Sequence, residues 1–321
     1  MLTHPPSLEL LPPAIVILGP TASGKSNLAL SISDHFPVEI ISIDSAQVYR
    51  YMDIGSAKPD PHILTKIPHH LINLIDPDQQ YSAAQFRNDA LHTMKEITLR
   101  GNIPLLVGGT MLYFKALREG LSDLPPANQQ IRKEIEASAA EKGWSAQHHL
   151  LQSVDPTSAE RIQSNDSQRI QRALEIYYLT GKPMSALMLP SKPVFIPYQL
   201  ISIALLPADR TVLHQRIQQR FEMMLTMGLI EEVQSILSKF PLTLEMPSMR
   251  CVGYRQVYQY LHNQLSLIEL REKGVAATRQ LAKRQLTWLR SMTQLTAFDC
   301  LADNLPEQVL YYLQITLNIN D

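Results

Sequence analysis

Cysteine is scarce in this chain of 321 residues, occurring only at Cys251 and Cys300. The two lie far apart and lack the short spacing of metal-ligand pairs. They argue against a disulfide framework and fit lone buried thiols in a reducing compartment. Excess charge of one sign is missing too, because 29 basic residues face 30 acidic ones for a formal net charge of −1. Bulk charge therefore gives no sign of a nucleic-acid partner, and such binding must rest on local clusters. No apolar run approaches the roughly 20 residues that a membrane-spanning helix needs. The stretch Met1–Pro13 has neither a basic n-region nor a cleavage signal, so a soluble cytoplasmic protein is expected. Internal repeats and low-complexity tracts are also absent. What remains is 45% apolar and 18% charged, the composition of a packed chain. Its length admits one large domain, or a core carrying a smaller one.

The run Ala14-Ile15-Val16-Ile17-Leu18 is β-branched, ends in glycine and reads as a buried parallel strand. A helical pattern follows over Lys25–Ser33. Further strands are expected at Glu39–Ile43, Ile103–Val107 and Gln199–Leu206, with a helix over Ala83–Arg100 that sets Phe86, Ala90, Met94 and Ile97 on one face. Strands alternating with helices predict an α/β fold with a doubly wound parallel sheet, in which ligands sit beyond the carboxyl ends of the strands. Composition shifts near Leu124-Pro125-Pro126, and Leu189–Pro197 holds three prolines. Residues 123–197 are read as an all-helical insertion dividing a core of 1–122 and 198–321. Helices are expected again at Ile230–Leu237, Tyr254–Gln264 and Leu267–Thr293.

The segment Gly19-Pro20-Thr21-Ala22-Ser23-Gly24-Lys25-Ser26 matches G-x-x-x-x-G-K-[ST] between a strand and a helix, the context this P-loop motif requires. Its glycines let backbone N–H groups turn inward as an anion nest, and the helix N-terminus adds positive potential. Lys25 can reach terminal phosphate oxygens and Ser26 can hold Mg²⁺. Asp44, at the end of the second strand, can serve as a Mg²⁺ holder, a general base beside the phosphates, or a turn-forming aspartate. Gly108-Gly109-Thr110 ends a third strand. It permits either close ligand approach with Thr110 orienting a reacting group, or a plain turn with Thr110 as N-cap.

Three basic clusters stand out. Arg279, Lys283 and Arg290 share a helix face, within a stretch from Lys273 to Phe298 that has five basic residues and no acid. A solvated face and a phosphate-backbone contact are equally open there. A second cluster holds Arg161, Arg169 and Arg172 with Gln168 and Gln171, and a third holds Arg250, Gly253 and Arg255. His69-His70 and His148-His149 lack the carboxylate or cysteine that would complete a metal site.

Taken in order, Gly19–Ser26, Asp44–Arg50, Asp53–Pro59, Pro68–Ile72, Gly108–Tyr113, Gln168–Glu175, Arg250–Arg255 and Arg279–Gln285 resemble the bacterial tRNA dimethylallyltransferase family, also called tRNA isopentenyltransferase. The likeness runs from about Ala14 to Arg290. It implies a P-loop NTPase-like core with a helical insertion that helps clamp the anticodon stem-loop. The activity it implies moves a dimethylallyl group from dimethylallyl diphosphate to N6 of adenine 37 in tRNAs reading codons that begin with U. By the family pattern Thr21–Ser26 would bind the prenyl diphosphate. The tRNA would meet Asp44, Ser45, Ala46, Gln47, Thr110 and Arg132, and the run Gln168, Arg169, Ile170, Gln171 and Arg172. It would also meet Arg250, Cys251, Val252, Gly253, Tyr254 and Arg255, and Lys283, Arg284, Gln285, Leu286, Thr287, Trp288, Leu289 and Arg290. The family expectation is a monomer, without the zinc finger that eukaryotic relatives add.

The residues can support that chemistry. The target base must leave the anticodon stack before its exocyclic amine can react. Asp44 would position the amine and accept its proton, Thr110 would fix the base, and Lys25 with Mg²⁺ on Ser26 would stabilise the leaving diphosphate. Arg220 is a candidate second cation on the diphosphate, or else a surface salt bridge. Two other readings of the same motifs are an ATP-dependent small-molecule kinase, with Asp44 on Mg²⁺, and a nucleotide-gated RNA-binding module.

Overall fold

The computed structural model describes residues 11–122, 124–188 and 195–318. The chain divides into two compact units, one formed by residues up to Arg118 and from Ile196 onward, the other by Glu119–Phe195. Of the proline-bearing stretch expected to rejoin the core, residues 189–194 lie outside the described residues, as do residues 1–10 of the N-terminal segment.

The first unit is built on six strands: β1 (Pro13–Leu18), β2 (Val38–Ile43), β3 (His69–His70), β4 (Ile103–Gly108), β5 (Gln199–Leu206) and β6 (Thr296–Asp299). All pair in parallel, in the order β3-β2-β4-β1-β5-β6. The helices preceding the insertion are α1 (Lys25–Ser33), α2 (Pro61–Lys66), α3 (Ala83–Leu99) and α4 (Met111–Glu119). Side chains alternate across a strand, so β1 feeds two cores at once. Ala14, Val16 and Leu18 pack with Phe86, Ala90, Met94 and Ile97 of α3 and with Phe114 of α4. Ile15 and Ile17 pack on the other face with Leu28 and Ile32 of α1. Each fully buried Ile or Leu contributes about 1.5–3 kcal/mol, and every residue of Ala14–Leu18 is fully buried. A capping box at Ser82 and Gln85 fixes where α3 begins.

The four expected strands form within a residue of their expected ends, and β5 agrees residue for residue. β3 and β6 have no counterpart among the expected strands. Two and four residues are too few to display a strand pattern, and pairing with β2 and β5 makes them strands.

The second unit holds α5 (Gln129–Lys142), α6 (Trp144–Val154), α7 (Pro156–Arg161), α8 (Ser167–Thr180) and α9 (Met184–Leu187), around a small core of Ile135, Leu151, Ile162, Ile170 and Leu174. Beyond it come α10 (Arg210–Thr226), α11 (Leu229–Lys239), α12 (Tyr254–Leu261), α13 (Leu267–Ser291) and α14 (Leu305–Thr316). Helices α10 to α13 enclose Leu213, Ile217, Phe221, Leu229, Val233, Leu270 and Leu286. Gly274 on α13 lies under the Phe221 ring, where a β-carbon would have no room. No helix among the described residues is long and apolar enough to cross a membrane.

On β2, buried Glu39 accepts from Arg100 Nε (2.8 Å) and Nη2 (2.7 Å) and from Asn102 Nδ2 (2.8 Å), and pairs with His70 Nε2 (2.7 Å). The Arg100 hydrogen bonds hold its carboxyl down at about 2, against an ordinary value of 4.5. A depressed carboxylate stabilises the fold above its unfolded value, and that contribution is lost as pH falls through the folded one. The urea midpoint should therefore drop between about pH 4.5 and about pH 2, and Glu39→Gln should flatten that part of the profile.

Candidate active site

The P-loop leaves the end of β1 as a strained turn. Ala22 has φ +64° and Gly24 φ +82°. Glycine adopts this region freely, whereas a residue with a β-carbon does so at about 1–2 kcal/mol. The turn aims the first amides of α1 inward, where they have no helical partner. Lys25 folds over the loop and donates to the Pro20 carbonyl at 2.7 Å. Burial, with the Arg220 charge nearby, lowers its ammonium to about 8. Ser26 is exposed and its hydroxyl has no hydrogen bond among the described residues, so it is free to meet a cation. The buried Ser23 Oγ also lacks a partner.

Asp44 stands just beyond β2. One carboxylate oxygen accepts the Ala46 N–H at 2.8 Å, so the turn-forming role is real. Burial raises its pKa, while the Ala46 N–H, Lys25 and Arg220 pull it back. Arg220, on α10, has no salt bridge among the described residues, so a surface ion pair does not describe it. Thr110, beyond β4, does not cap α4 with its side chain. Its Oγ1 accepts the Ser45 N–H at 3.0 Å and donates to Ser45 Oγ at 3.3 Å, tying the ends of β4 and β2 together. Gln47 is occupied by Ser42, whose hydroxyl donates to its Oε1 at 2.8 Å.

The two glycines at the end of β4 meet closely packed protein atoms. Gln285 of α13 reaches the loop, its Oε1 accepting the Thr21 N–H and its Nε2 donating to the Gly109 carbonyl, each at 2.9 Å. A β-carbon at position 109 would strike the Gln285 amide. The glycines thus make room for protein: Gly108 lies against the Ile43 backbone and Gly109 against Gln285. No motif spacing links positions separated by 264 residues.

Comparison with known proteins decides what this arrangement belongs to. The family model described as IPP transferase matches residues 47–292, and the isopentenyl transferase model matches residues 13–76. The chain belongs to the IPP transferase family. A protein named tRNA dimethylallyltransferase from Nitrosomonas eutropha is 63% identical over 303 residues, covering 94% of this chain and 96% of the relative. A full-length tRNA isopentenylpyrophosphate transferase of known structure from Bacillus halodurans is 34% identical, with TM-score 0.69 over 95% of this chain and 97% of that one. A eukaryotic dimethylallyltransferase, captured in crystallographic snapshots acting on tRNA, is 26% identical with TM-score 0.75, over 96% of this chain and 79% of that one.

The remaining candidate residues of this IPP transferase divide by exposure. Lys283, Arg284, Thr287 and Arg290 are exposed on α13, and Trp288 is half-buried with Lys115 over its ring. Leu286 and Leu289 are core residues whose side chains no partner can reach. A cavity of about 340 Å³ between α10 and α13 is lined by Arg210, His214, Arg279, Lys283 and Arg290 among others. In the helical unit Gln168 and Arg169 are exposed and Ile170 is buried. Arg132 and Arg172 spend their guanidinium groups on buried Glu175, at 2.8 and 2.6 Å, and Gln171 donates to Glu136. Arg250 pairs with Glu245 and Arg255 is exposed, whereas Cys251 and Val252 are half-buried. Gly253 has φ +91° and opens α12.

Tyr254 is fully buried, and the reason lies in Glu232, a residue that no sequence motif marks. Its carboxylate accepts the N–H groups of Asp53 (2.9 Å), Ile54 (2.7 Å) and Gly55 (3.2 Å) and the Tyr254 hydroxyl (2.6 Å). Lys58 then clasps the same loop through Asp53 Oδ1 and Asn73 Oδ1, at 2.7 and 2.6 Å. Removing the acceptor strands several donors, each worth about 1–3 kcal/mol when buried. Glu232→Ala should therefore cost at least about 3 kcal/mol in urea unfolding, and Glu232→Gln, which keeps one acceptor oxygen, distinctly less.

Proposed function

We propose that this enzyme transfers a dimethylallyl group from dimethylallyl diphosphate to N6 of adenine 37 in tRNAs reading codons that start with U. The products are N6-(dimethylallyl)adenosine and diphosphate. One observation carries the reading. In a chain of this family, the phosphate loop, a half-buried aspartate and a threonine hydroxyl converge beyond the ends of neighbouring strands. That is where an open parallel sheet presents its ligand.

The N6–C1 bond forms as the allylic C1–O bond breaks, and the diphosphate leaves with the electron pair. Asp44 accepts the proton from N6. Burial makes it a stronger base than a surface aspartate, while the Lys25 and Arg220 charges oppose that rise. Thr110, held against Ser45, fixes the flipped base. Lys25, Arg220 and the loop amides of Gly19–Ser26 take up the charge growing on the diphosphate. The donor set fits Mg²⁺ in its usual manner, with the free Ser26 hydroxyl as one ligand and phosphate oxygens and water as the rest. When bound, it would neutralise diphosphate charge.

The tRNA contacts we assign are exposed residues in and beside the three basic clusters. These are Lys283, Arg284, Thr287 and Arg290 on α13, Gln168 and Arg169 on α8, and Arg255 on α12. A tRNA substrate supports a cytoplasmic location, and the family expectation of a monomer is retained.

Incubation with unmodified tRNA and either dimethylallyl diphosphate or ATP, followed by nucleoside mass analysis, tests the reading. Prenylated adenosine is expected, and ADP formed with a small acceptor instead would sink it. Asp44→Ala should lower turnover by about 10²–10⁴-fold while leaving tRNA affinity nearly intact. Equal losses in rate and affinity would reassign Asp44 to RNA positioning. Changing Arg279, Lys283 and Arg290 together to Ala should weaken tRNA binding. Its log–log salt slope should become shallower by about 0.7–0.9 for each phosphate that is no longer neutralised.

A further inference from the structure

The Gln285 carboxamide joins two parts of the reaction centre to a third element. It holds the Thr21 N–H at the rim of the phosphate loop and the Gly109 carbonyl beside Thr110, both at 2.9 Å. Thr21 directly precedes Ala22, whose left-handed backbone gives the loop its turn. Gly109 is followed by Thr110, whose hydroxyl braces Ser45 next to Asp44. One side chain therefore sets the position of the diphosphate cradle relative to the base-binding corner.

The helix that supplies Gln285 is also the one with the outward cationic stripe. Lys283, Arg284 and Arg290 are exposed, while Ala282, Leu286 and Leu289 on the inner side are buried. Gln285 lies between these faces and is half-buried. The carboxamide lies directly against the Gly109 backbone, where a β-carbon would meet its nitrogen. A shift or rotation of α13 would pull on both of these hydrogen bonds, to Thr21 and to Gly109. Gln285 and both its partners are neutral, so the link depends on orientation and length rather than on charge.

We propose that Gln285 is a positioning residue that couples RNA bound on α13 to the shape of the diphosphate cradle. This rests on the reading of the P-loop as the diphosphate holder and of α13 as an RNA contact. Coupling between two ligands is reciprocal: whatever factor RNA applies to diphosphate affinity, diphosphate applies to RNA affinity.

Calorimetric titration of the full chain with inorganic diphosphate and Mg²⁺, with and without an unmodified anticodon stem-loop RNA, tests the idea. In the unaltered enzyme the two diphosphate Kd values should differ by about fivefold or more. In Gln285→Ala the ratio should fall to within about twofold. Gln285→Glu keeps an acceptor for Thr21 but has no N–H for Gly109, and should retain part of the ratio. Gln285→Met fills the same volume without either hydrogen bond. It should match the alanine variant and substitutes for it if Gln285→Ala fails to fold. Equal ratios in the unaltered enzyme and the Ala or Met variant, or a ratio near one in the unaltered enzyme, would overturn the proposal. Because these titrations involve no turnover, failure of prenyl transfer in nucleoside analysis is a separate result that strikes the function alone.

Discussion

Everything at the candidate site depends on the alignment of three parallel strands. Gly108, the last residue of β4, lies in register with Leu18 at the end of β1 and with Ile43 at the end of β2. The three strands therefore end at one level, and their continuations converge: the phosphate loop, Asp44-Ser45 and Gly109-Thr110. The alignment leaves no space for a side chain at position 108, because a β-carbon would enter the Ile43 backbone. Hydrogen bonds from the Gly109 and Thr110 amides to the Ile43 carbonyl, at 3.2 and 3.1 Å, carry the register past the strand ends. Parallel strands buried on both faces suit this task, since helices on each side hold the level fixed.

Much of this was legible in the sequence because it is local. The run Ala14–Leu18 announces a strand by composition, Gly19–Ser26 announces a loop by spacing, and Phe86, Ala90, Met94 and Ile97 announce a helix by their period. The reaction centre could also be assembled from motifs at strand ends, since sheet topology dictates where such ends gather. Glu232 escaped, and Gln285 was expected only as an RNA contact, because the loop partners that define their roles in the structure lie 176 to 264 residues away. Some family motifs also changed meaning. Tyr254 and Ile170 lie within runs expected to face RNA, yet both are fully buried. Within such a run some members fill the core and only their neighbours face outward.

Glu175 shows the same division of labour in the helical unit. Its carboxylate is fully buried and accepts from Arg132, Arg172 and the Asn128 N–H. Those hydrogen bonds hold its pKa down although burial alone would raise it. Removing one partner of such a knot costs far more than a surface pair, because it leaves charge stranded in a dry place. Two of the arginines expected to face RNA are thus structural cations with part of each side chain still open to solvent, at 33% and 29% exposure.

The hydrogen bond from Thr21 to Gln285 also has a consequence for biosynthesis. A ribosome releases the chain from its N-terminus, so the strand and turn of the phosphate loop emerge early. The side chain that braces the rim emerges 264 residues later. At synthesis rates of about 5–20 residues per second, the loop waits at least about ten seconds for its brace. Throughout that interval the anion nest is present as sequence but unbraced as a cradle.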